Sequence, residues 1–281
     1  MQGQNRLYDW WRVLYPVLLQ WLISMLVILG FRLYLQTVYA AGLEAGGMDP
    51  FQASAAWKER YRELNLVMTA VTHAVCVAVM GVLFACQKNN ERLQRPWKGM
   101  EWLLVLALPI LGGVACLLLN GVLNLTGLTY VLQQEYGQMA EVLYGGPLCL
   151  EIGTTVVLAP IAEELLFRGI CQNRLRWLFS PKQAVLAAAI LFGVYHGSLL
   201  QGVYACALGI LIGWSYERFK NIFAPILLHM SANAMSLAMT KWTVLNDFFG
   251  KTPIRLGLTV IFCGIFCSFF CRLLEKFSKQ F

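Results

Sequence analysis

Long apolar runs constrain the fold of this chain more than any other feature. A helix that crosses a bilayer needs about 20 mostly apolar residues. Eight runs approach or exceed that length, at residues 14–35, 64–86, 101–123, 147–171, 182–200, 202–217, 222–241 and 255–274. Charged residues make up 13% of the 281 residues, about half the share of a typical soluble domain. The sequence therefore predicts an all-α, polytopic protein of the cell membrane, with about eight transmembrane helices in a single integral membrane domain, 1–281.

The distribution of Lys and Arg predicts how the chain is oriented. If both termini are cytoplasmic, the cytoplasmic segments hold 15 of these residues and the outer segments hold 7. Because cytoplasmic loops are enriched in Lys and Arg, this bias predicts cytoplasmic N and C termini and an even number of spans. The net charge of +7 is accounted for by these loops and by contacts with anionic lipid headgroups. The bilayer is thus a predicted partner, and nucleic acid is not.

Three further segments support a membrane-embedded chain. The first run is too long for a cleaved signal peptide, so it predicts a retained first helix. Residues 48–63 begin with Asp49-Pro50, a capping residue followed by a first-turn proline, and predict a short interfacial helix on the outer face. Residues 124–146 are predicted to be a loop or a partly inserted segment. The nine cysteines contain no C-x-x-C pair and are expected to be reduced, with Cys263, Cys267 and Cys271 favoured as packing residues over acylation at Cys271.

Charged residues interrupt the fourth apolar run. Glu163 and Glu164 are followed by Arg168, and a charge at that depth costs several kcal/mol unless it is paired or faces water. Glu164 and Arg168 have the i,i+4 spacing of a helical ion pair. Glu163 points about 100° away around the helix, so it needs another partner. Either a histidine takes that place, or Glu163 is a buried, protonated glutamate bonded to a backbone carbonyl.

Polar residues in two later runs are candidates for that partner. Phe192 and His196 share one helical face in the fifth run, and His229 and Asn233 share one in the seventh. His196 alone could equally be a packing residue, whereas two polar groups on one face are harder to explain by packing. The third histidine, His73, has no polar neighbour at helical spacing except Thr69. It is predicted to be a satisfied core or pore-lining histidine.

One carboxylate, two imidazoles and one amide suffice for a hydrolase. A carboxylate with an imidazole can hold and deprotonate water, and a second imidazole with an amide can donate hydrogen bonds to an oxyanion. The same residue types also permit a zinc site, which would consist of Glu163, His196 and His229 with one position open for water. The residues alone leave both mechanisms open.

These motifs together resemble those of the CAAX-protease and bacteriocin-processing family, also called the Abi or type II CAAX prenyl endopeptidase family. The resemblance rests on Glu163-Glu164-x-x-x-Arg168, Phe192-x-x-x-His196 and His229-x-x-x-Asn233, in that order, in the predicted catalytic helices 147–241. It implies an intramembrane endopeptidase in which Glu163 with His196 activates water, and His229 with Asn233 binds the oxyanion. Glu164 and Arg168 would support the site, as would Phe192, and no metal would be obligatory.

Other classes fit less well. No apolar run contains an aspartate, and the sequence lacks the H-E-x-x-H of zinc proteases and a G-x-S-G elbow. A non-catalytic scaffold or regulator of the same fold is the main alternative, and a proton-coupled transporter is a weaker one because no inverted repeat is found. The expected substrate is a membrane-associated, lipidated or leader peptide, presented from the cytoplasmic side or within the membrane. The oligomeric state is not predicted.

Overall fold

The computed structural model describes residues 6–87, 105–132, 137 and 144–278, and within them it contains helices and no strand. We number the helices in chain order: α1 Arg6–Tyr34, α2 Pro50–Glu63, α3 Asn65–Ala85, α4 Leu108–Leu125, α5 from Leu148 to Leu175, α6 Pro181–Tyr195, α7 Leu199–Phe219, α8 Phe223–Lys241, α9 Thr243–Gly250 and α10 Pro253–Ser278. Helix α1 continues through a π-helical segment, Leu35–Tyr39, and the short stretch Ala40–Ala45. A single turn, Leu128–Val131, follows α4.

Among the described residues, five helices are long and apolar enough to cross a membrane: Leu7–Ala45, Asn65–Ala85, Leu108–Leu125, Leu199–Phe219 and Pro253–Lys276. The predicted all-α membrane architecture is therefore confirmed, whereas eight spans and the orientation stay predictions. The first predicted run, 14–35, is too short at both ends, and the observed helix includes Asp9 in its first turn. A single aspartate still cannot form an aspartyl dyad. Ten residues of the predicted loop 124–146, namely 133–136 and 138–143, lie outside the described residues, as do residues 101–104 of the third run.

The three remaining predicted runs form helices that are interrupted, short or partly polar. These runs are 147–171, 182–200 and 222–241. Helix α5 consists of Leu148–Glu151, Ile152–Leu158, Ala159–Glu164, Leu165–Gln172 and Asn173–Leu175, and its second and fourth segments are π-helical. Helix α6 has only 15 residues. Helix α8 has 19 residues, and its hydropathy is lowered by polar side chains such as His229 and Asn233. These three helices carry the predicted site.

Local signals account for several helix starts. Asp49 caps α2, because its carboxylate accepts hydrogen bonds from the amides of Phe51 (3.0 Å) and Gln52 (3.3 Å). The predicted helix over 48–63 is thereby confirmed. Helix α6 begins with a capping box in which Ser180 and Gln183 bond to each other's backbone, followed by Pro181 in the first turn.

The turn between α6 and α7 follows a short helix. Helix α6 ends at Tyr195, so His196 caps the helix and does not lie inside a span, contrary to the predicted run 182–200. Gly197 follows with φ of 70°, a conformation that favours glycine. Fifteen helical residues extend about 22 Å, which is less than the ~30 Å of a hydrocarbon core. Helix α6 alone is therefore too short to cross such a core.

Polar contacts through small residues hold α5 against α7. Arg168 donates to the carbonyl of Gly209 at 3.0 Å, and Gln172 donates to that of Gly213 at 3.2 Å. A Cβ on Gly213 would lie 2.8 Å from the Gln172 Oε1 atom, so a larger residue would displace the Gln172 side chain. The close helix contact predicted from Gly209-x-x-x-Gly213 is confirmed.

The described parts of the chain near both termini lie at one end of the helix bundle. Near the N terminus, Arg174 donates to the carbonyl of Arg12. The Cys171 thiol donates to the carbonyl oxygen of Val13 at 3.4 Å. Near the C terminus, Arg218 donates to the carbonyl of Glu275 at 2.8 Å. At the same end of the bundle, the Gln172 side-chain amide donates to the Glu217 carboxylate at 3.1 Å. We call this the termini end, and it comprises residues 6–13, 171–182, 214–222 and 271–276.

Candidate active site

A fully buried ion pair forms the base of the site. Arg168 donates to Glu164 at 3.0 Å, and both side chains have zero solvent exposure. The Arg168 guanidinium also lies over the ring of Phe192, 4.6 Å from its centroid. The predicted i,i+4 pair is thus present. Its partners compensate much of the cost of burying two charges, because each charge has an opposite charge or dipole beside it.

His229 lies between the two adjacent glutamates. Its Nδ1 atom is 2.7 Å from Glu164 Oε1, and its Nε2 atom is 3.8 Å from Glu163 Oε2. A carboxylate accepts hydrogen bonds, so Nδ1 donates to Glu164 and the ring orientation is set by that bond. Glu163 therefore has a histidine beside it, as the sequence predicts, and the nearby histidine is His229.

His196 approaches the site from the end of α6. Its Nδ1 atom lies 2.8 Å from the carbonyl oxygen of Phe192, which fixes the ring through its own helix. The Phe192 ring meets His196 edge-on at a centroid distance of 4.7 Å and His229 at 5.7 Å. Phe192 is only 1% exposed. This one aromatic ring consequently positions both imidazoles and the guanidinium.

Asn233 faces the same region from α8. Its Nδ2 atom donates to the carbonyl of Thr155 at 2.8 Å, and Thr155 belongs to the first π-helical segment of α5. One of its two amide hydrogens is therefore used in joining α8 to α5. The other amide hydrogen is left for a bound group.

All four predicted catalytic residues line one cavity of about 220 Å³. The Glu163 side chain is 11% exposed, whereas Glu164 and Arg168 are sealed behind it. Glu163 thus presents a carboxylate to the cavity, and the buried pair supports the wall. The residues that line the cavity are Thr69, His73, Asn120, Leu123, Thr129, Tyr144, Thr154, Thr155, Ala159, Glu163, Phe192, His196, Leu200, Gln201, Tyr204, Ala205, Leu208, His229, Asn233 and Ser236.

Sequence reasoning underestimated His73. It lines the cavity with the other two histidines, and its Nδ1 atom has no hydrogen-bond partner within the described part of the chain. The prediction of a pore-lining histidine agrees with this position, but a satisfied core histidine does not. Spacing along one helix could not find it because its neighbours in the site come from other helices. The available signal was that all three histidines of the chain lie in apolar runs.

The side chains do not fit the zinc alternative. In the residues that the structure describes, no three His, Cys, Asp or Glu side chains are arranged to hold a metal ion. Glu163, His196 and His229 line one cavity, but they do not converge as a ligand set. The hydrolytic mechanism proposed below uses no metal ion.

The cavity extends away from the termini end. Its outer lining comes from the start of α3, the end of α4, the first part of α7 and the second half of α8. On the other side of Glu163, the fully buried residues Arg168 and Gln172 close the bundle. Cytoplasmic termini stay a prediction, and so does access from the cytoplasmic side or from within the membrane.

Fold and site together define a helical membrane protein with a buried carboxylate–imidazole cavity. Comparison with known proteins agrees with this class: residues 145–235 match the family model described as type II CAAX prenyl endopeptidase Rce1-like. This segment contains all three motifs. The resemblance predicted from the motifs is confirmed over it, and it carries the signature of a family of membrane proteases.

Two relatives match over a similar share of the chain. One is a Bacillus subtilis protein named "Putative membrane peptidase YdiL", 29% identical over 106 residues, which are 38% of this chain and 43% of the relative. The other is an Escherichia coli protein named "Uncharacterized 24.3 kDa protein", 32% identical over 93 residues, which are 31% of this chain and 43% of the relative. Each match thus spans less than half of the relative's length. No solved structure matches the chain.

Proposed function

We propose that this protein is an intramembrane endopeptidase that hydrolyses a peptide bond of a membrane-associated substrate. The observation that carries the proposal is the single cavity lined by Glu163, His196, His229 and Asn233. These residues come from three separate helices, so their convergence is not a consequence of sequence spacing. The family match over residues 145–235 and the relative named as a peptidase support the same reaction class.

In the proposed reaction, Glu163 acts as the general base. It accepts a proton from a water molecule held with His196, and the water oxygen forms a bond to the carbonyl carbon of the substrate. The carbonyl π electrons move to the oxygen, giving a tetrahedral oxyanion. When the oxyanion collapses, the C–N bond breaks, and Glu163 returns the proton to the leaving amine. Atoms and charge balance with water as the only co-reactant.

His229 and Asn233 stabilise the oxyanion in this mechanism. With Nδ1–H bonded to Glu164, a protonated His229 keeps Nε2–H directed to the side of Glu163 and the cavity. Asn233 adds its remaining amide hydrogen. Fixed donors of this kind are worth most in a site that excludes bulk water.

The mechanism requires no metal ion, and this requirement can be tested directly. We expect purified protein to contain less than about 0.1 mole of transition metal per mole of chain, and to cleave substrate at an unchanged rate after chelation, because Glu163 and not a metal activates the water. Elemental analysis and single-turnover assays before and after treatment with a chelator measure both quantities. Activity that disappears with the metal and returns with added zinc would contradict the mechanism.

The principal test is Glu163→Gln, which keeps the side-chain shape but removes the base. We expect cleavage to fall by about 10²-fold or more, since general-base catalysis contributes roughly that much. Quantitative proteomics of membranes from cells with the wild-type and variant proteins should reveal uncut peptides that accumulate only with Glu163→Gln.

The matched control is Glu44→Gln, which makes the same chemical change at an exposed position after α1. It should leave the peptide profile unchanged. If Glu163→Gln also leaves the profile unchanged while the protein is folded and abundant, the chain is not a protease. A role as scaffold or regulator would then follow.

A further inference from the structure

We propose that a groove between α1 and α2 binds the headgroup of an anionic phospholipid through its phosphate. The inference is independent of the proposed function, because the described residues that line this groove are all different from those that line the cavity of Glu163. It goes beyond a general attraction of basic loops to lipid, since it assigns one site with defined side chains. Three observations carry it: the lining of the groove, its unbalanced positive charge and its position along α1.

Two helices form the groove, which has a volume of about 410 Å³. Arg32 of α1 lines one side, and four residues of α2 line the other: Trp57, Lys58, Tyr61 and Arg62. These four residues form two i,i+4 pairs, so an aromatic row lies beside a cationic row on the same face of α2. Such a surface suits an amphipathic ligand, because the rings can contact its carbon atoms while the cations contact a charged headgroup.

The groove carries more positive than negative charge. Within the described ranges, neither Arg32 nor Lys58 has an acidic partner, and the Lys58 amine lies 6.0 Å from the centroid of the Trp57 ring. Arg62 donates to Glu59 at 2.9 Å through Nη1 alone, so its other N–H groups are left for a ligand. Three cations against one carboxylate leave two positive charges. The negative phosphate of an anionic lipid matches this excess, whereas phosphatidylcholine would bring a further cation into the groove.

The position of Arg32 along α1 places the groove at a membrane interface. No charged residue occurs between Arg12 and Arg32, which are 20 positions apart. At about 1.5 Å per residue they are separated by about 30 Å, which is the thickness of a hydrocarbon core. Trp57 and Tyr61 accordingly lie at the boundary where such aromatic residues concentrate. The phosphates of phospholipids lie in this same layer, so the lipid reaches the groove from the bilayer itself.

The surroundings favour a lipid over a free phosphate ion. Exposed cations attract a free ion only weakly, because water and salt screen the charges. The acyl chains of a lipid hold its phosphate at the interface, and this raises the effective concentration of phosphate beside the groove. The rings of Trp57 and Tyr61 also offer contacts to the carbon atoms of a lipid that inorganic phosphate lacks.

Lipid binding to the purified full-length chain tests the site. Delipidated protein in detergent is titrated with phosphatidylglycerol or phosphatidylcholine, and native mass spectrometry counts the bound lipid molecules. We expect phosphatidylglycerol to bind at a concentration about tenfold lower than phosphatidylcholine, because it alone adds a net negative charge to the two uncompensated cations. Equal binding of the two lipids would overturn the proposal.

Two exposed cations of the groove provide the variants. Arg32→Gln and Lys58→Gln should each weaken the binding of phosphatidylglycerol about fivefold, and the double variant about 25-fold, because each basic residue near a lipid surface contributes about that factor. Trp57→Ala should weaken it as well, without any change in charge. Unchanged binding by Trp57→Ala would overturn an amphipathic groove. Thermal unfolding in the same detergent verifies that each variant is folded.

The matched control is Arg60→Gln, which removes the same charge from the same helix outside the groove. Arg60 pairs with Glu63 at 2.7 Å and does not line the groove. Its replacement should change the binding of phosphatidylglycerol less than about twofold, since exposed ion pairs contribute little. Equal losses with Arg60→Gln and Arg32→Gln would show that the lipid responds to net charge alone, and the proposed site would then be wrong.

Inorganic phosphate distinguishes the two sources of the recognised group. Added in excess at constant ionic strength, it should leave the binding of phosphatidylglycerol unchanged. Displacement of the lipid by inorganic phosphate would overturn the proposal and identify a free anion as the ligand. None of these measurements depends on peptide cleavage, so a failure of this proposal and a failure of the protease assignment are read from different experiments.

Discussion

At the scale of single residues, Glu164 has two bonds that define its role. One carboxylate oxygen, Oε1, accepts from Arg168 at 3.0 Å and from His229 at 2.7 Å. The ion pair therefore balances the buried guanidinium and also orients an imidazole of the cavity. Stability and geometry of the site consequently depend on the same atom.

Replacing Glu164 by Gln should separate these two contributions. The single change leaves the Arg168 charge buried without a carboxylate, so we expect the free energy of unfolding in detergent to fall by about 3–5 kcal/mol. Glu164→Gln with Arg168→Met removes the uncompensated charge and should recover most of that stability. It should not recover cleavage, because His229 still lacks its carboxylate partner. Denaturant titration and a peptide-cleavage assay measure the two effects, and a single variant as stable as wild type would contradict this account.

The sequence predicted the residues of the site better than their pairings. Spacing on one helix was enough to predict the pair of Glu164 and Arg168, because both residues lie four apart on α5. It could not show that His229 binds Glu164, or that Asn233 binds a carbonyl of α5. Those contacts depend on how α8 packs against α5, and a local pattern contains no information on that packing. His73 was undervalued for the same reason.

At the scale of helices, α5 owes its irregular form to its sequence only in part. Pro160 lacks an amide hydrogen, so it cannot complete a regular hydrogen-bond ladder in the middle of the helix. The π-helical segment Ile152–Leu158 ends just before it, and a second, Leu165–Gln172, follows Glu164. Such segments often occur at functional sites. Here they enclose the short α-helical stretch that carries both glutamates. The proline is visible in the sequence, but the two π-helical segments are not, since apolar periodicity is similar in both helix types.

The turn after α6 provides a test at this scale. Gly197→Ala forces a residue with a Cβ into a φ of 70°, and we expect a loss of about 1–2 kcal/mol in unfolding free energy. Cleavage should fall as well, because His196 precedes the strained position. Gly257→Ala in α10 is the matched control: no atom lies within 4 Å of the added methyl group, and the backbone is helical, so it should be neutral or stabilising. Equal stabilities of the two variants would show that the turn is not constrained as described.

At the scale of the whole molecule, composition and apolar runs were sufficient to predict a helical membrane protein. The direction in which the cavity extends was not predictable in this way. It depends on where α6 stops relative to α7, and on which end of the bundle is packed solid by Arg168 and Gln172. Helix α6, with 15 residues, is six residues shorter than its neighbour α7, with 21. The apolar runs of the sequence did not reveal this difference in length. The fifth run was predicted to end at residue 200, whereas α6 ends at Tyr195.

The short sixth helix also bears on how the reactant water arrives. Each peptide bond cut uses up one water molecule, and a bilayer interior supplies almost none. Helix α6 is about 8 Å shorter than a full crossing, and in the proposed hydrolysis a helix of that length would leave water a shorter path toward Glu163. If the chain hydrolyses peptide bonds as proposed, resupply of water between turnovers would depend on the space beyond the end of α6, and thicker membranes would slow the reaction without any change in its reacting groups.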